Sequence, residues 1–252
     1  MDGIIEELGP VLASYHHPVI CFSGGLDSTA LLRNALEFCD DVTALFVKLP
    51  MNSRRQIESA TRIAEVLGAD LTIAELRWND LKGIERNNDD RCYICKSAIY
   101  GLANAIAAGS PVLAGDNADD KDEERPGHRA AKEKDVINPL RIANIGKSRV
   151  IRAVELMQLP VPMFKDTCMA TRYPTGHTIT ERDLRFVEDC EASVRKISGL
   201  KQLRIRINGN RAMVQTDVSE IPEMVRYRTQ ITYELKSRGL DCDLDLEGYK
   251  GV

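Results

Sequence analysis

The sequence predicts an α/β protein with a doubly wound parallel sheet over residues 1–176 and a smaller C-terminal α+β domain over residues 177–252. Three observations carry this prediction. Short apolar runs alternate with helical stretches in the first half, which is typical of parallel strands covered by helices on both faces. A glycine turn follows the first apolar run directly. After residue 176 the pattern changes to two strand-like runs joined by an Asn-Gly turn, a strong hairpin signal.

The predicted elements of the first domain alternate as strand and helix. Strands are expected at residues 19–22, 42–47, 70–76 and 111–114, and helices at 29–38, 54–67, 91–107 and 147–158. In a doubly wound sheet the ligand binds outside the carboxyl ends of the strands. The loops after residues 22, 47, 76 and 114 should therefore face one crevice.

The connection after the fourth strand is long and polar. It contains Gly115-Asp116-Asn117-Ala118-Asp119-Asp120 and continues through residues 125–131. A structureless connection of this length in a compact domain is usually functional or mobile. A solvated charge run is the alternative interpretation.

The second domain is predicted to mix helices with a hairpin. We expect a helix at 181–197, strands at 202–207 and 211–217, a helix at 220–238 and a last strand at 241–246. Because Asn208-Gly209-Asn210 joins the first two strands, they should pair as neighbours.

Composition indicates a soluble globular protein with 43% hydrophobic and 29% charged residues. Apolar runs long enough to cross a membrane are absent from the sequence, and Met1-Asp2-Gly3 lacks the layout of a signal peptide, so we expect a cytoplasmic protein without a membrane partner. The formal charge of −4 gives no overall attraction to nucleic acid, although a local basic groove stays open as an alternative.

Residues Ser23-Gly24-Gly25-Leu26-Asp27-Ser28 lie between the first predicted strand and the first predicted helix. Adjacent glycines let the backbone take φ > 0 and approach a ligand, so that N–H groups converge on an anion at the positive end of the helix. Since no lysine follows the glycines, this is not the common nucleotide loop. We interpret the stretch as the phosphate cradle of an ATP site, with an ordinary capped βα turn as the alternative.

The seven cysteines are not expected to form a disulfide framework in a cytoplasmic chain. Four of them sit singly within apolar patterns and are interpreted as buried packing: Cys21, Cys39, Cys190 and Cys242. Cys92 and Cys95 open a predicted helix, and Cys168 lies in the loop that leaves the α/β domain. If that loop folds back over the crevice, three thiolates converge near the ATP site.

Three interpretations of this cysteine trio stay open. Zinc prefers four ligands in a closed site, and His128 or His177 could complete the set. A [4Fe-4S] cluster on three cysteines would leave one iron without a protein ligand, able to hold exogenous sulfide. A thioredoxin-like pair fits less well, because the CxxC motif is not at the first helix of a βαβ unit.

Two arginines alternate along the predicted strand at 202–207. Because side chains alternate across a strand, Arg204 and Arg206 should share one face, where two guanidiniums suit a phosphate or carboxylate. Arg172, four residues after Cys168, is a third candidate. A solvated sheet face is the alternative.

The cradle resembles the PP-loop ATP pyrophosphatases, whose motif reads SGGxDS. Over nearly its whole length the chain is similar to one branch, the LarE-type sulfur transferases, although it departs from the usual segment at Met169, Thr171 and Thr175. The resemblance rests on these stretches: 23–28, Arg91-Cys92-Tyr93-Ile94-Cys95-Lys96, 115–120, 125–127, 129–131, 168–176, 203–206 and Asp245-Leu246-Glu247-Gly248-Tyr249.

The resemblance implies an ATP-dependent, Mg²⁺-dependent transferase that adenylates a carboxylate of a pyridinium biscarboxylic acid mononucleotide and replaces oxygen by sulfur, for nickel-pincer cofactor biosynthesis. Ser23, Gly24, Gly25 and Ser28 would hold pyrophosphate, and Asp27 would orient the loop or a Mg²⁺. Sulfide or another donor would supply the sulfur. The family also implies a homo-oligomer.

Within this family some members give up the sulfur of a cysteine at the position of Cys168, and others hold a [4Fe-4S] cluster on three cysteines. The three-cysteine pattern favours the cluster type, with Cys92, Cys95 and Cys168 as ligands and Cys168 at the catalytic position. Arg172, Arg204 and Arg206 would hold the phosphate of the substrate.

Two rival functions follow from the same residues. A tRNA-thiolating PP-loop enzyme would use the same adenylation, but cluster-dependent members typically read SGGKDS and carry two CxxC pairs, which Leu26 and the single pair here do not match. A non-catalytic nucleotide-binding regulator would bind ATP without releasing pyrophosphate.

Overall fold

The computed structural model describes residues 4–120, 126–159, 161 and 167–249. The chain divides into two compact units, Met1–Ile84 with Asp90–Met163 and Glu85–Asp89 with Phe164–Val252. The predicted boundary at 176 therefore differs from the observed division, because the segment around Cys168 packs within the second unit. The five-residue piece Glu85–Asp89 also joins that unit, which local sequence patterns do not indicate.

A parallel sheet forms the centre of the first unit and confirms the predicted fold class. Among the described residues its strands stand in the order β3-β2-β1-β4, with every neighbouring pair parallel. Ile20 pairs with Ala44 on one side and Leu113 on the other, and all three are fully buried. The strands are β1 (Val19–Cys21), β2 (Thr43–Lys48), β3 (Asp70–Glu75) and β4 (Val112–Leu113).

Helices pack around this sheet through small and aliphatic side chains such as Leu31, Leu32 and Ile63, which are fully buried. The helices of the first unit are α1 (Gly9–Leu12), α2 (Leu26–Phe38), α3 (Arg54–Leu67), α4 (Arg91–Ala107), α5 (Pro126–Glu133), α6 (Pro139–Ile142) and α7 (Lys147–Leu156). Short 3-10 turns lie at Glu6–Leu8, Trp78–Asp80 and Ile84–Arg86.

The sequence predicts a structureless connection after β4, but helix α5 lies within it. Proline is favoured at the first position of a helix, and Pro126 begins α5. Ala130 and Ala131 are buried, so the helix is held by packing. Residues 121–125, including Arg125, lie outside the described residues.

The second unit contains a mixed sheet in the order β5-β6-β7 among its described residues. The predicted hairpin is present: β5 (Leu203–Asn208) and β6 (Arg211–Thr216) pair antiparallel, and Gly209 turns between them with φ +60°. Strand β7 (Asp241–Leu244) pairs parallel with β6.

Helix α8 (Glu181–Ser198) begins with a capping box in which Thr180 and Asp183 exchange hydrogen bonds. The predicted helix at 220–238 is instead two helices, α9 (Ile221–Arg226) and α10 (Arg228–Ser237). Further 3-10 turns lie at Met169–Arg172 and Val218–Glu220. In the part of the chain that the structure describes, no helix has the length and hydropathy needed to span a membrane.

Candidate active site

The turn between β1 and α2 forms a tight cradle. Gly24 has φ +72°, and a Cβ on it would lie 2.9 Å from the Cα of Ala60 in α3. Gly25 has φ −82°, so of the two glycines only Gly24 takes a positive φ. The cradle is therefore closed against α3 at Gly24, where no larger residue fits without a shift.

Ser28 braces the turn from inside. Its Oγ accepts a hydrogen bond from the Ser23 N–H at 3.2 Å and donates to the Gly25 carbonyl at 3.1 Å. Gly25 is the N-cap residue of α2, and in the described chain no side chain caps this helix. The N–H groups of its first turn are therefore available to an anion, which the helix dipole also attracts.

The loop after β4 packs directly against this helix start. A Cβ on Gly115 would lie 2.9 Å from the backbone nitrogen of Ser28. Asn117 donates its Nδ2 to Asp27 Oδ1 at 3.0 Å, and Lys147 donates its Nζ to Asp27 Oδ2 at 2.5 Å. Asp27 thus joins the cradle to the loop and to α7, a geometry that suits the predicted loop-orienting role.

A cavity of about 290 Å³ opens beside the cradle, at the carboxyl ends of β1, β2 and β4. Its lining combines apolar side chains with hydroxyl, amide and charged groups, a combination that suits a nucleoside joined to a polyphosphate. The apolar lining comprises Phe22, Leu45, Phe46, Val47, Leu49 and Ile99; the polar lining includes Ser23, Asp27, Ser28, Asn52, Gln56, Lys96 and Asp116.

Lys96 is a cavity residue to which sequence reasoning assigned no role. Its Nζ donates to Asp116 Oδ1 at 3.2 Å and lies 5.7 Å from the ring centroid of Tyr100. Burial opposes its charge, but Tyr100 and Asp116 outweigh burial and raise the pKa of Lys96 above its ordinary value. A permanent cation therefore faces the cavity. The sequence could have revealed Lys96 as a candidate site residue, because it lies one helical turn after Cys92.

Cys21 also lines this cavity and is only partly buried, which corrects its interpretation as simple packing. Burial raises the pKa of its thiol to about 12, so it stays protonated at neutral pH. Of the other three cysteines predicted to be packing residues, Cys190 is buried, while Cys39 and Cys242 are partly exposed.

Cys92 and Cys95 lie on the first turns of α4, one turn before Lys96 and Ile99 respectively. The residues of α4 that line the cavity are Lys96, Ile99 and Tyr100, whereas Cys92 is exposed and Cys95 is partly buried. Cys168 is the N-cap residue of the 3-10 turn Met169–Arg172 in the second unit. Within the described ranges the structure forms no group of three His, Cys, Asp or Glu side chains poised to hold a metal.

The two histidines considered as zinc ligands have other neighbours. His128 Nε2 lies 3.7 Å from Asp116 Oδ2 in the first unit. His177 stacks on Tyr173 in the second unit, with ring centroids 5.4 Å apart.

The segment after Cys168 is held by buried polar groups. Asn87, fully buried, donates its Nδ2 to the carbonyls of Ala170 and Pro174 at 3.2 and 3.0 Å. Arg172 is 1% exposed and pairs with Glu191 at 2.8 Å. Its guanidinium also donates to the Thr167 carbonyl at 2.9 Å. Arg172 therefore anchors this segment, and its predicted phosphate-binding role stays a prediction.

The two strand arginines do not lie on a solvated face. Arg204 is 3% exposed, and its guanidinium stacks 3.8 Å from the ring centroid of Tyr249. Arg206 donates its Nε to Gln215 Oε1 at 2.8 Å and a terminal N–H to the Thr171 carbonyl at 3.0 Å. Arg206 also lines a cavity of about 330 Å³ within the second unit.

Comparison with known proteins shows similarity along the whole chain. A family model described as queuosine biosynthesis protein QueC matches residues 17–90, which contain the cradle and β1 to β3. The pyridinium-3,5-bisthiocarboxylic acid mononucleotide synthase of Lactiplantibacillus plantarum is 28% identical over 238 residues, covering 92% of this chain and 86% of that protein.

Two uncharacterized proteins are similar over a comparable extent. One from Synechocystis is 28% identical over 258 residues, which is 99% of this chain and 96% of the relative. One from Methanocaldococcus jannaschii is 26% identical over 238 residues, which is 92% and 90% of the two chains. The match therefore includes both units, whereas the QueC model matches only part of the first.

Proposed function

We propose that this protein is an ATP-dependent sulfur transferase that adenylates a substrate carboxylate and then exchanges oxygen for sulfur. The cavity beside the Gly24 cradle is the observation that carries the proposal, because it joins an apolar wall to a helix start and a fixed cation. Similarity over both units to the Lactiplantibacillus plantarum synthase supports a pyridinium mononucleotide as substrate, and a role in nickel-pincer cofactor biosynthesis.

The first unit binds ATP in this proposal. The base lies against the apolar wall formed by β2, and the pyrophosphate lies on Ser23, Gly24, Gly25 and Ser28. Lys96, which lines the same cavity, neutralises phosphate charge, and a Mg²⁺ ion bound with ATP neutralises more.

Adenylation solves a leaving-group problem. A carboxylate oxygen of the substrate attacks the α-phosphorus, the bond to the bridging oxygen breaks, and pyrophosphate leaves. Sulfide then adds to the activated carbonyl carbon, and AMP leaves with the bonding electron pair to give a thiocarboxylate. The chain's task is to hold both reactants in line and to compensate the charge of the phosphates.

The cysteine trio offers the right donors for a [4Fe-4S] cluster, since thiolates are its usual ligands. Cys92, Cys95 and Cys168 would hold it, and the bound cluster would supply an iron site that accepts sulfide.

The second unit binds the substrate's phosphate group in this proposal. Arg206 faces the cavity there, and because Gln215 holds its Nε, the terminal Nη groups are the donors that suit recognition of an anion. Arg204 lies two residues earlier on the same strand face and adds positive charge. Arg172 contributes through the packing of the segment after Cys168.

The test is an anaerobic assay of the full chain with pyridinium-3,5-biscarboxylic acid mononucleotide, ATP, Mg²⁺ and sulfide. Mass analysis is expected to show AMP, pyrophosphate and a product in which sulfur replaces oxygen. Reconstituted protein should contain iron and sulfide, and Cys168→Ala should lower that content. Pyrophosphate release stimulated by tRNA but not by the mononucleotide would favour the tRNA-thiolating alternative. Persistent ATP binding without turnover would favour a regulator.

A further inference from the structure

The C-terminal segment Asp245-Leu246-Glu247-Gly248-Tyr249 lies along the end of β6. The Asp245 N–H donates to the Val214 carbonyl at 3.0 Å, and the Tyr249 N–H donates to the Thr216 carbonyl at 2.8 Å. Gly248 has φ +71°, and a Cβ there would lie 2.7 Å from Val218 Cγ2. These contacts hold the backbone of the segment in one place, and they thereby fix where the side chains of Asp245 and Tyr249 begin.

Asp245 reaches Arg206 through one intervening amide. Gln215 Nε2 donates to Asp245 Oδ2 at 2.7 Å, and Gln215 Oε1 accepts from Arg206 Nε at 2.8 Å. An ionised carboxylate only accepts and a guanidinium only donates, so this polarity orients the amide in one way. With its Nε held, Arg206 keeps a fixed rotamer beside the cavity.

Tyr249 acts on the other arginine. Its ring lies 3.8 Å from the guanidinium carbon of Arg204, a distance typical of a cation–π contact. Strand pairing sets the two contacts side by side, because Arg204 pairs with Gln215 in the β5–β6 register. The C-terminal segment thus contacts Arg204 directly through Tyr249, and it contacts Arg206 indirectly through Gln215.

We propose that Gln215, Asp245 and Tyr249 are positioning residues that preorganise Arg204 and Arg206 to bind the phosphate of a mononucleotide substrate. This inference rests on the proposed function and deepens it by assigning a role to the C-terminal motif. Preorganised guanidiniums lose less side-chain entropy on binding, so disrupting the relay should weaken binding of the phosphate group and leave ATP binding unchanged.

The experiment measures binding of nicotinic acid mononucleotide and of inorganic phosphate to the full chain by titration calorimetry. Asp245→Asn and Gln215→Glu are each expected to weaken binding about tenfold, because each disturbs a hydrogen bond linked to a charged group, and Arg206→Ala is expected to weaken it at least as much. The double variant Gln215→Glu with Asp245→Asn should recover binding, since position 215 can then accept from both neighbours. If the single variants bind weakly only because they fold poorly, the double variant should not recover binding.

Tyr249→Leu should weaken binding more than Tyr249→Phe, which keeps the ring. Glu223→Gln, which removes a half-exposed acid of α9, serves as the charge control and should bind as the wild type does. Single variants with wild-type affinity, or a double variant as weak as the singles, would overturn the inference. So would a wild-type chain that binds neither probe. If probe binding follows the prediction while sulfur transfer is absent, the proposed function fails and this inference stands.

Discussion

At the scale of single residues, Gly24 has a conformation and surroundings that exclude a side chain. A Gly24→Ala substitution adds a left-handed strain of about 1–3 kcal/mol. It also places a methyl group 2.9 Å from Ala60 Cα. We expect the variant to lose about 2 kcal/mol or more of unfolding free energy and most of its ATP affinity, measured by urea titration and calorimetry.

The matched control is Gly209→Ala. Gly209 also has positive φ, at +60°, but a Cβ there meets nothing within 4 Å among the described residues. Gly209→Ala should lower the free energy of unfolding only by the backbone strain and should leave ATP binding unchanged. Equal losses in both variants would show that the contact with Ala60 does not matter.

Lys96 is expected to bind ATP through its charge. Lys96→Gln should weaken ATP binding by about tenfold or more, since a hydrogen bond to a charged group contributes about 1.5–3 kcal/mol. Because Asp116 and Tyr100 raise the pKa of Lys96, its ammonium should remain charged well into alkaline solution. The ratio of wild-type to variant affinity should thus be the same at pH of about 7 and about 9. A ratio that is lower at the higher pH than at the lower pH would contradict binding of ATP through the charge of Lys96.

At the scale of elements, the segment after Cys168 depends on one buried amide from a distant stretch of chain. Asn87→Ala removes the buried side-chain donor to the Ala170 and Pro174 carbonyls, which then accept only from the Tyr173 and His177 N–H groups, at a cost of about 1 kcal/mol. We expect faster alkylation of Cys168, measured by peptide mass analysis after brief treatment with iodoacetamide. Asn88→Ala, at the exposed neighbouring position, should leave the alkylation rate unchanged, and equal rates in all three proteins would contradict this role.

Glu191 on α8 links the same segment to β5. Burial alone raises the pKa of Glu191, but Arg172 and Arg195, together with the Ile205 N–H, outweigh it and hold the pKa below its ordinary value of 4.5. The ionised form thus stabilises the fold above pH 4.5, and this contribution is lost as the pH falls through the lower folded pKa.

Glu191→Gln leaves Arg172 without its buried counter-charge and should cost about 3–5 kcal/mol at neutral pH, measured by urea unfolding. The difference from wild type should shrink in acid. Glu181→Gln, at an exposed position in the first turn of α8, is the control and should cost far less. A pH-independent difference would show that the charge of Glu191 is not what stabilises the segment.

Local patterns predicted the strands and most helices because apolar periodicity and turn residues act over a few positions. The hairpin at Gly209 and the capped helix α8 are examples. The same patterns could not show that α5 interrupts the loop after β4, since its packing through Ala130 and Ala131 depends on distant partners. Nor could they show that Tyr249 covers Arg204, because that contact joins residues far apart in sequence.

At the scale of the whole molecule, the chain passes from the first unit into the second and back through Glu85–Asp89. The ATP cradle and Cys92 belong to one unit, and Cys168 with the arginine pair belongs to the other. The sequence predicted the turn at Gly24 from its motif and the shared strand face of Arg204 and Arg206 from their spacing, and the binding roles of these residues stay predictions. It missed Lys96 and Gln215, whose roles depend on the cavity and on strand pairing.

In the proposed reaction a carboxylate oxygen of the substrate attacks the α-phosphorus of ATP. The most direct measurement uses pyridinium-3,5-biscarboxylic acid mononucleotide labelled with oxygen-18 in its carboxylates, incubated anaerobically with the full chain, ATP, Mg²⁺ and sulfide. We expect the released AMP to carry one oxygen-18 atom for each sulfur incorporated. Unlabelled AMP, or formation of ADP and phosphate in place of AMP and pyrophosphate, would contradict it.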